Sequence, residues 1–266
     1  MIPELLQKHG LSPKTGLGQH FLDDPTVLDR EIEEAEIEDN DHVLEIGAGL
    51  GTLTTRLADV AGKVTTIEQD AALIPVLEKE LKLHDNVELV HGDALDIEWP
   101  DVDRCVCNPP YQIASALVER LGEAGIPAVM VVQEEFAQRL VAEAGTDAYS
   151  RLTLLANYYF VPVYLDPVPA TAFEPEPEVE SALIKLFPAN KQDEIGPEQF
   201  FTTVDALFTH KRKKVRNAFV DSRHITGMTK DAAKEMRDDL PYSEQRVIDL
   251  ELQQVVEIAQ YLEGRA

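Results

Sequence analysis

The sequence predicts an α/β fold: a parallel sheet with helices on both faces, followed by a small all-helical domain. Three observations predict it. Between residues 42 and 133, short apolar runs alternate with stretches of helical periodicity. Two further apolar runs flank a proline-rich stretch ahead of Pro188. Beyond about residue 190, every periodic segment reads as helix.

Taken in order, an irregular stretch, Leu11 to Leu22, leads into an acidic segment of helical spacing from Asp23 to Glu38. Strands are expected at His42–Ile46, Lys63–Glu68, Val87–His91, Arg104–Cys107 and Ala128–Gln133, with helices at 52–60, 71–83, 113–123 and 134–143. Strands and helices alternating at these lengths make βαβ units, which cover both faces of a parallel sheet. Asn157–Leu165 and Ser181–Phe187 are placed to pair as an antiparallel edge. Around Pro188–Pro197 the pattern breaks, and 198–220, 229–237 and 243–262 follow as helices. We therefore expect one domain over residues 1–189 and a helical one over 190–266.

Composition narrows the function classes. The 266 residues hold 49 acids against 24 Lys and Arg, a net charge of −25, with 44% hydrophobic residues. A core is affordable and disorder is not expected. A simple nucleic-acid binder usually carries the opposite balance. The charge is uneven, however: residues 1–189 hold 35 acids and 12 bases, residues 190–266 hold 14 and 12. The acids either match a basic partner or suit a salt-rich cell interior. At molar ionic strength the Debye length is only ~3 Å, so like charges cease to repel. Because the acids are scattered rather than gathered in a tail, we favour the salt-adapted reading, as in a halophilic archaeon.

No stretch approaches the roughly 18 apolar residues of a membrane span, and the N-terminus lacks a signal-peptide core, so a cytoplasmic protein without membrane association is expected. Cys105 and Cys107 would share one face of a strand, a poor geometry for a disulfide. No histidine pattern completes a zinc site with them. Buried thiols and no metal are the expectation.

Ligands of open α/β sheets bind at the carboxyl ends of the strands. Three motifs fall there. Glu45-Ile-Gly47-Ala-Gly49-Leu-Gly51 follows the first strand, and its glycines let backbone approach a ligand. Alone, such a turn is shared by nucleotide enzymes of many kinds. Glu68 ends the second strand, 21 residues after Gly47, where a carboxylate can accept both hydroxyls of a ribose. Asp93, followed by Ala94, ends the third and can accept from the amine of an adenine. The turn is Gly-x-Gly-x-Gly and is preceded by Glu45, which would repel a pyrophosphate but tolerate an ammonium and a sulfonium. These features point to S-adenosylmethionine.

The fourth strand ends in Asn108-Pro109-Pro110-Tyr111. The Asn108 side-chain oxygen and the Pro109 carbonyl can both accept from one NH₂ group, and Tyr111 offers a ring for stacking. An adenine amine is a poor nucleophile because its lone pair is delocalised. Two acceptors drawing its hydrogens out of the ring plane would localise that pair toward a methyl donor, leaving orientation to supply most of the catalysis.

With these residues on view, the chain resembles the small-subunit rRNA adenine N6,N6-dimethyltransferases. The resemblance runs through Lys14-Thr-Gly-Leu-Gly-Gln19-His20-Phe21-Leu22, the glycine turn, Glu68, Gly92-Asp93-Ala94 and Asn108–Tyr111. It continues through Val131–Leu140, Phe173–Ser181 and Phe208–Phe219. It implies a Rossmann-like class I methyltransferase sheet and S-adenosylmethionine as methyl donor. The substrate implied is two adjacent adenosines near the 3′ end of small-subunit rRNA, met in a pre-ribosomal particle by a monomeric enzyme late in assembly. Carried over, His20 and Leu22 would lie at the cofactor's methionine end, Gln19 would also bind the cofactor, and Gly47 and Gly49 would lie against it. Glu68 would hold its ribose, and Asp93 with Ala94 its adenine. Asn108 would sit between donor and target, with Pro109 beside it, while Tyr111 and Phe173 would sandwich the target base. Departures are His20 and Pro110, and Glu178-Val-Glu-Ser in place of a segment that opens on Lys. Asn-Pro-Pro-Tyr also occurs in DNA-adenine and protein-glutamine methyltransferases, against which the other segments decide. An assembly factor that binds RNA without turnover is the remaining alternative.

Lys211, Arg212, Lys213, Lys214 and Arg216 form the densest run of cations in the chain. On a continuous helix Arg212 and Arg216 would be i, i+4 neighbours and give a basic face for RNA phosphates.

Overall fold

The computed structural model describes residues 2–14, 16, 18–189 and 194–264, so Thr15 and Leu17 of the Lys14–Leu22 segment lie outside the described residues. The chain divides into two compact units, Met1–Ala137 with Pro162–Pro188, and Gln138–Val161 with Ala189–Ala266.

In the first unit, α1 (Ile2–His9) and β1 (Phe21–Leu22) precede α2 (Pro25–Ala35). The side chain of Asp24 accepts from the Thr26 amide, and Pro25 fills a first-turn position whose N–H has no helical partner, so α2 starts there. Then β2 (His42–Ile46), α3 (Thr52–Val60), β3 (Lys63–Glu68), α4 (Ile74–Glu80), β4 (Val87–His91), β5 (Arg104–Cys107), α5 (Ala114–Ala124), β6 (Ala128–Gln133) and α6 (Glu134–Leu140) alternate. These five strands have the bounds that the apolar runs predict. The helices expected at 71–83 and 134–143 are shorter than their periodicity suggested.

A seven-stranded sheet, counted among the described residues, has the order β4-β3-β2-β5-β6-β9-β7, with β7 (Phe160–Val168) and β9 (Ser181–Pro188) at one edge. Strands β4, β3, β2, β5 and β6 are parallel, and β9 runs antiparallel to β6. Val43, Leu44, Val106, Cys107, Met130 and Val132 are all buried, so central strands are covered on both faces, as their unbroken apolar runs require. From β2 the chain moves outward through β3 to β4 and returns to β5 on the other side of β2. The loops after β2 and β5 diverge at that reversal, and a crevice opens between them. A second pairing, β1 with β8 (Phe173–Glu174), sets Leu22 opposite Phe173.

The second unit contains α7 (Arg151–Tyr159), α8 (Pro197–Phe208), α9 (Val215–Asp221), α10 (Lys230–Met236) and α11 (Leu252–Glu263). Residues 157–159, expected to begin a strand, instead complete α7. A capping box of Ser150 and Thr153 starts that helix. Tyr158 stacks on Phe200 at 4.5 Å between centroids, and its hydroxyl donates to the Ile195 carbonyl at 2.6 Å. Packing of this kind draws Gln138–Val161 into the helical unit, so a boundary at 189/190 alone does not describe the division.

Two expected helices are also shortened, for one reason. Residues 211–215 run beside 245–248: the Ile248 amide donates to the Lys211 carbonyl at 2.8 Å, the Val247 amide to Lys213 at 3.0 Å, and the Val215 amide to Gln245 at 2.9 Å. Backbone groups paired in this way cannot serve a helix. The expected helix over 198–220 is therefore α8 and α9 with a turn between them, and that over 243–262 starts only at Leu252.

Candidate active site

A cleft lies at the carboxyl ends of β2, β3, β4 and β5. Among the predicted residues, Gln19, His20, Leu22, Gly47, Gly49, Glu68, Asp93, Ala94, Asn108, Pro109, Tyr111 and Phe173 all line it. Gly47 (φ 85°) and Gly49 (φ 57°) both take left-handed backbone. A Cβ on Gly47 would lie 3.7 Å from the Asn108 carbonyl, and one on Gly49 only 3.1 Å from the Phe21 ring. Left-handed backbone favours glycine at both positions, and at Gly49 the Phe21 ring also leaves little room for a side chain.

Glu68 is held from two sides. Its Oε2 accepts from the Gly49 amide at 2.9 Å and its Oε1 from the Asp70 amide at 2.8 Å. Burial pushes its pKa up, against these amide bonds, which favour the ionised form. A carboxylate offers only acceptor sites, about four in all, which is the kind of group a ribose diol can donate to. Asp70 was not anticipated. It takes Lys14 Nζ at 2.6 Å and Gln19 Nε2 at 2.9 Å, while Gln19 Oε1 accepts from the Lys14 amide at 2.8 Å. Burial raises the Asp70 pKa, but Lys14 and the other donors outweigh it and leave the group below its ordinary value. Gln19 thus borders the cleft with both ends of its amide already bonded.

Asp93 Oδ1 accepts from the Leu95 amide and Oδ2 from Gln69 Nε2, each at 2.9 Å, which fixes the carboxylate at the end of β4. Ala94 is buried, and its carbonyl accepts from Trp99 Nε1 at 2.9 Å.

At the end of β5, the Tyr111 hydroxyl bonds Ser181 Oγ at 2.7 Å. The Tyr111 ring stacks on His20 with centroids 6.2 Å apart and planes 15° apart, while His20 Nδ1 lies 2.8 Å from the Pro175 carbonyl oxygen. Phe173 and Leu22 are both buried in the same hydrophobic cluster, so each is core as well as cleft wall. Asn108 Nδ2 donates to Glu31 Oε2 at 3.2 Å. Asn108 Oδ1 is buried and has no hydrogen-bond partner among the described residues.

Glu31 escaped the sequence reading, although its position carried a signal: Leu28, Glu31 and Ala35 are spaced as one buried face of α2. Glu45 also differs from expectation. Its side chain turns inward, where Oε2 accepts from the hydroxyls of Thr54 and Thr66 at 2.6 Å each. Burial pushes its pKa to about 7, and the nearby Glu68 adds to the rise while the two threonines oppose it. Its effect on a ligand's charge is therefore partial near neutral pH.

The basic cluster lies in the second unit, but not on one helix. Arg212 is in the turn before α9 and Arg216 in its first turn, so they are not helical neighbours. Nor are the cations bare. Lys213 pairs with Asp221 at 2.7 Å, Lys214 with Glu244 at 2.6 Å, and Arg216 with Glu244. Arg212 lies 3.7 Å from Asp147, and Lys211 Nζ donates to the carbonyls of Asp147 and Tyr149. A basic face is thus matched by acids folded against it. Cys105 and Cys107 are buried, free thiols, and the described residues hold no cluster suited to a metal.

A family model described as ribosomal RNA adenine dimethylase matches residues 10–261. A protein of Thermococcus kodakarensis named "Probable ribosomal RNA small subunit methyltransferase A" is 40% identical over 262 residues, covering 97% of this chain and 93% of its own. Among solved structures, a dimethyladenosine transferase from Plasmodium falciparum aligns with a TM-score of 0.82 at 29% identity, over 92% of this chain and 98% of its own. The 23S rRNA methyltransferase ErmE aligns with a TM-score of 0.67, also at 29% identity, over 91% and 99%.

Proposed function

This chain belongs to the ribosomal RNA adenine dimethylase family, and from that membership we propose that it dimethylates N6 of adenosine in small-subunit rRNA, with S-adenosylmethionine as methyl donor. Its target is two adjacent adenosines near the 3′ end, reached in a pre-ribosomal particle in the cytoplasm by a monomeric enzyme. The observation that carries this is Asn108 Oδ1, a buried acceptor without a donor among the described residues, on a residue that lines the cleft.

The cleft fits the cofactor. Gly47 and Gly49 bring left-handed backbone to the cleft wall, and Glu68 presents a carboxylate, with acceptor sites only, to a diol. Glu68 would hold the ribose, Asp93 and Ala94 the adenine, and the His20–Leu22 segment the methionine end. When bound, S-adenosylmethionine supplies an electrophilic methyl group. The chain does the rest by orientation. Asn108 Oδ1 and the Pro109 carbonyl accept the two hydrogens of the target amine, which turns its lone pair toward the methyl group. Tyr111, fixed by Ser181 and His20, offers its ring to the target base, and Phe173 closes the other side. The amine proton leaves after transfer, so no strong base is required at the cleft.

RNA contact is assigned to Lys211, Arg212, Lys213, Lys214 and Arg216. Exposed ion pairs contribute little, so phosphates can displace the carboxylates that hold these cations. A target adenosine in a loop is splayed out at small cost.

Likeness to ErmE raises large-subunit rRNA as a second substrate, and 40% identity to the small-subunit relative against 29% favours the first. The test supplies labelled cofactor with unmethylated small subunits, large subunits, DNA or protein. Label should enter small-subunit rRNA as dimethyladenosine; label in any other substrate would overturn the assignment.

A further inference from the structure

Glu31 sits on the apolar face of α2 between Leu28 and Ala35, with no exposed surface. Nothing about stability favours an acid there. Taking a carboxyl group out of water carries a large desolvation penalty, repaid only where its oxygens are well bonded. Here one bond is present, from Asn108 Nδ2 at 3.2 Å, and Oε1 is buried without a partner among the described residues. Among the described residues, the one hydrogen-bond partner of Glu31 is Asn108, and that residue lies in the wall of the cleft.

We propose that Glu31 is a positioning residue for methyl transfer: its carboxylate holds Asn108 by Nδ2 and so leaves Oδ1 as the end of the amide that accepts from the target amine. The two ends of an asparagine amide are nearly the same size, and turning the group over would present donors to an amine that is itself a donor. A carboxylate has only acceptors and can bind only the NH₂ end. Glu31 thereby selects the productive orientation. Protonation weakens the selection, because the acid gains an O–H that can itself donate to Oδ1 and occupy it.

The groups facing Glu31 are few. Among the described residues, Glu45 on β2 disfavours its ionised form, and Glu31 in turn helps to push up the buried thiol of Cys107 on β5. The cations of neighbouring elements are turned to other partners, Arg56 to Asp29 and Lys185 to Glu34 and Glu36. Burial, with Glu45 adding to it, pushes the Glu31 carboxyl to about 8, so its ionisation falls inside the range in which rates can be measured.

The inference rests on the methyltransferase reading, and its test separates the two. Single-turnover transfer to unmethylated small subunits is measured from pH 6 to 9 for the wild type, Glu31→Leu and Glu31→Gln, with cofactor affinity, subunit affinity and Tm. Glu31→Leu should melt no lower than the wild type and, at pH 9 where Glu31 is ionised, transfer roughly 10- to 100-fold more slowly, with both affinities within about twofold. The wild-type rate should rise as Glu31 ionises, and Glu31→Gln should lose that rise, since its amide can bond either end of Asn108. A Glu31→Leu protein that folds and transfers at the wild-type rate would overturn the proposal. So would a loss that follows Tm or cofactor affinity. If Glu31→Leu does not fold, an unchanged rate and pH profile in Glu31→Gln overturns it instead. A wild type that makes no dimethyladenosine at all would fail the underlying function rather than this role.

Discussion

Glu45 provides the sharpest stability prediction. Its folded pKa stands at about 7 against an ordinary 4.5, chiefly through burial. Glu45 therefore binds a proton more tightly in the folded chain than in the unfolded one, and its contribution to stability is lost as pH rises from about 4.5 to about 7. A shift of that size corresponds to roughly 3 kcal/mol. Glu45→Gln keeps a carbonyl oxygen for the hydroxyls of Thr54 and Thr66 and removes the titration. The stability of the variant relative to the wild type should thus grow by roughly 3 kcal/mol between pH 4.5 and pH 8, or on the order of 6–12 °C in Tm for a unit of this size. Thermal melts across that range in molar KCl measure it, since salt screens exposed charges but not this buried one. A difference between the two proteins that does not change with pH would refute the buried-acid reasoning.

Three further outcomes are expected. Gly49→Ala places a Cβ against Phe21 in left-handed backbone and strains the amide that holds Glu68, so it should destabilise by about 1–2 kcal/mol and lower cofactor affinity, as read by calorimetry. Replacing Lys211, Arg212 and Lys214 with Gln should weaken RNA binding and flatten its salt dependence. The change should be less than the roughly one unit of slope per cation, because Lys214 starts from Glu244 and Lys211 from two carbonyls; an unchanged slope would make the cluster a solvated surface. Finally, melting temperature should climb with KCl, because a chain of net −25 repels itself in dilute buffer, and a flat response would remove the salt-adaptation reading.

The sheet could be read from the sequence because central parallel strands are continuous apolar runs, and a strand such as Arg104–Cys107 has nowhere else to go. The cleft was legible for a related reason: its residues sit at strand ends, where topology alone brings Gly47, Glu68, Asp93 and Asn108 together. What failed was local. Periodicity between 198 and 220 is helical, yet a backbone pairing with residues more than thirty positions away interrupts it at 209–214. Tyr158 is apolar enough for a strand, and only its stacking on Phe200 shows why it ends a helix. The charge pattern misled in the same way. A dense run of cations looks basic in sequence, whereas Asp221, Glu244 and Asp147 fold against it. Glu31 was lost among the acids of its segment because charge counts cannot separate a solvated acid from a buried one.

The assignment of Asn108 bears most directly on the whole account. Asn108→Ala, mixed in single turnover with unmethylated small subunits and saturating S-adenosylmethionine, should form dimethyladenosine at least roughly a hundredfold more slowly than the wild type, because only orientation of the amine is lost. Its affinities for the subunit and the cofactor should stay close to the wild-type values. Transfer that survives the substitution, or binding that falls in step with transfer, would contradict the central claim that this amide holds the target amine toward the methyl donor.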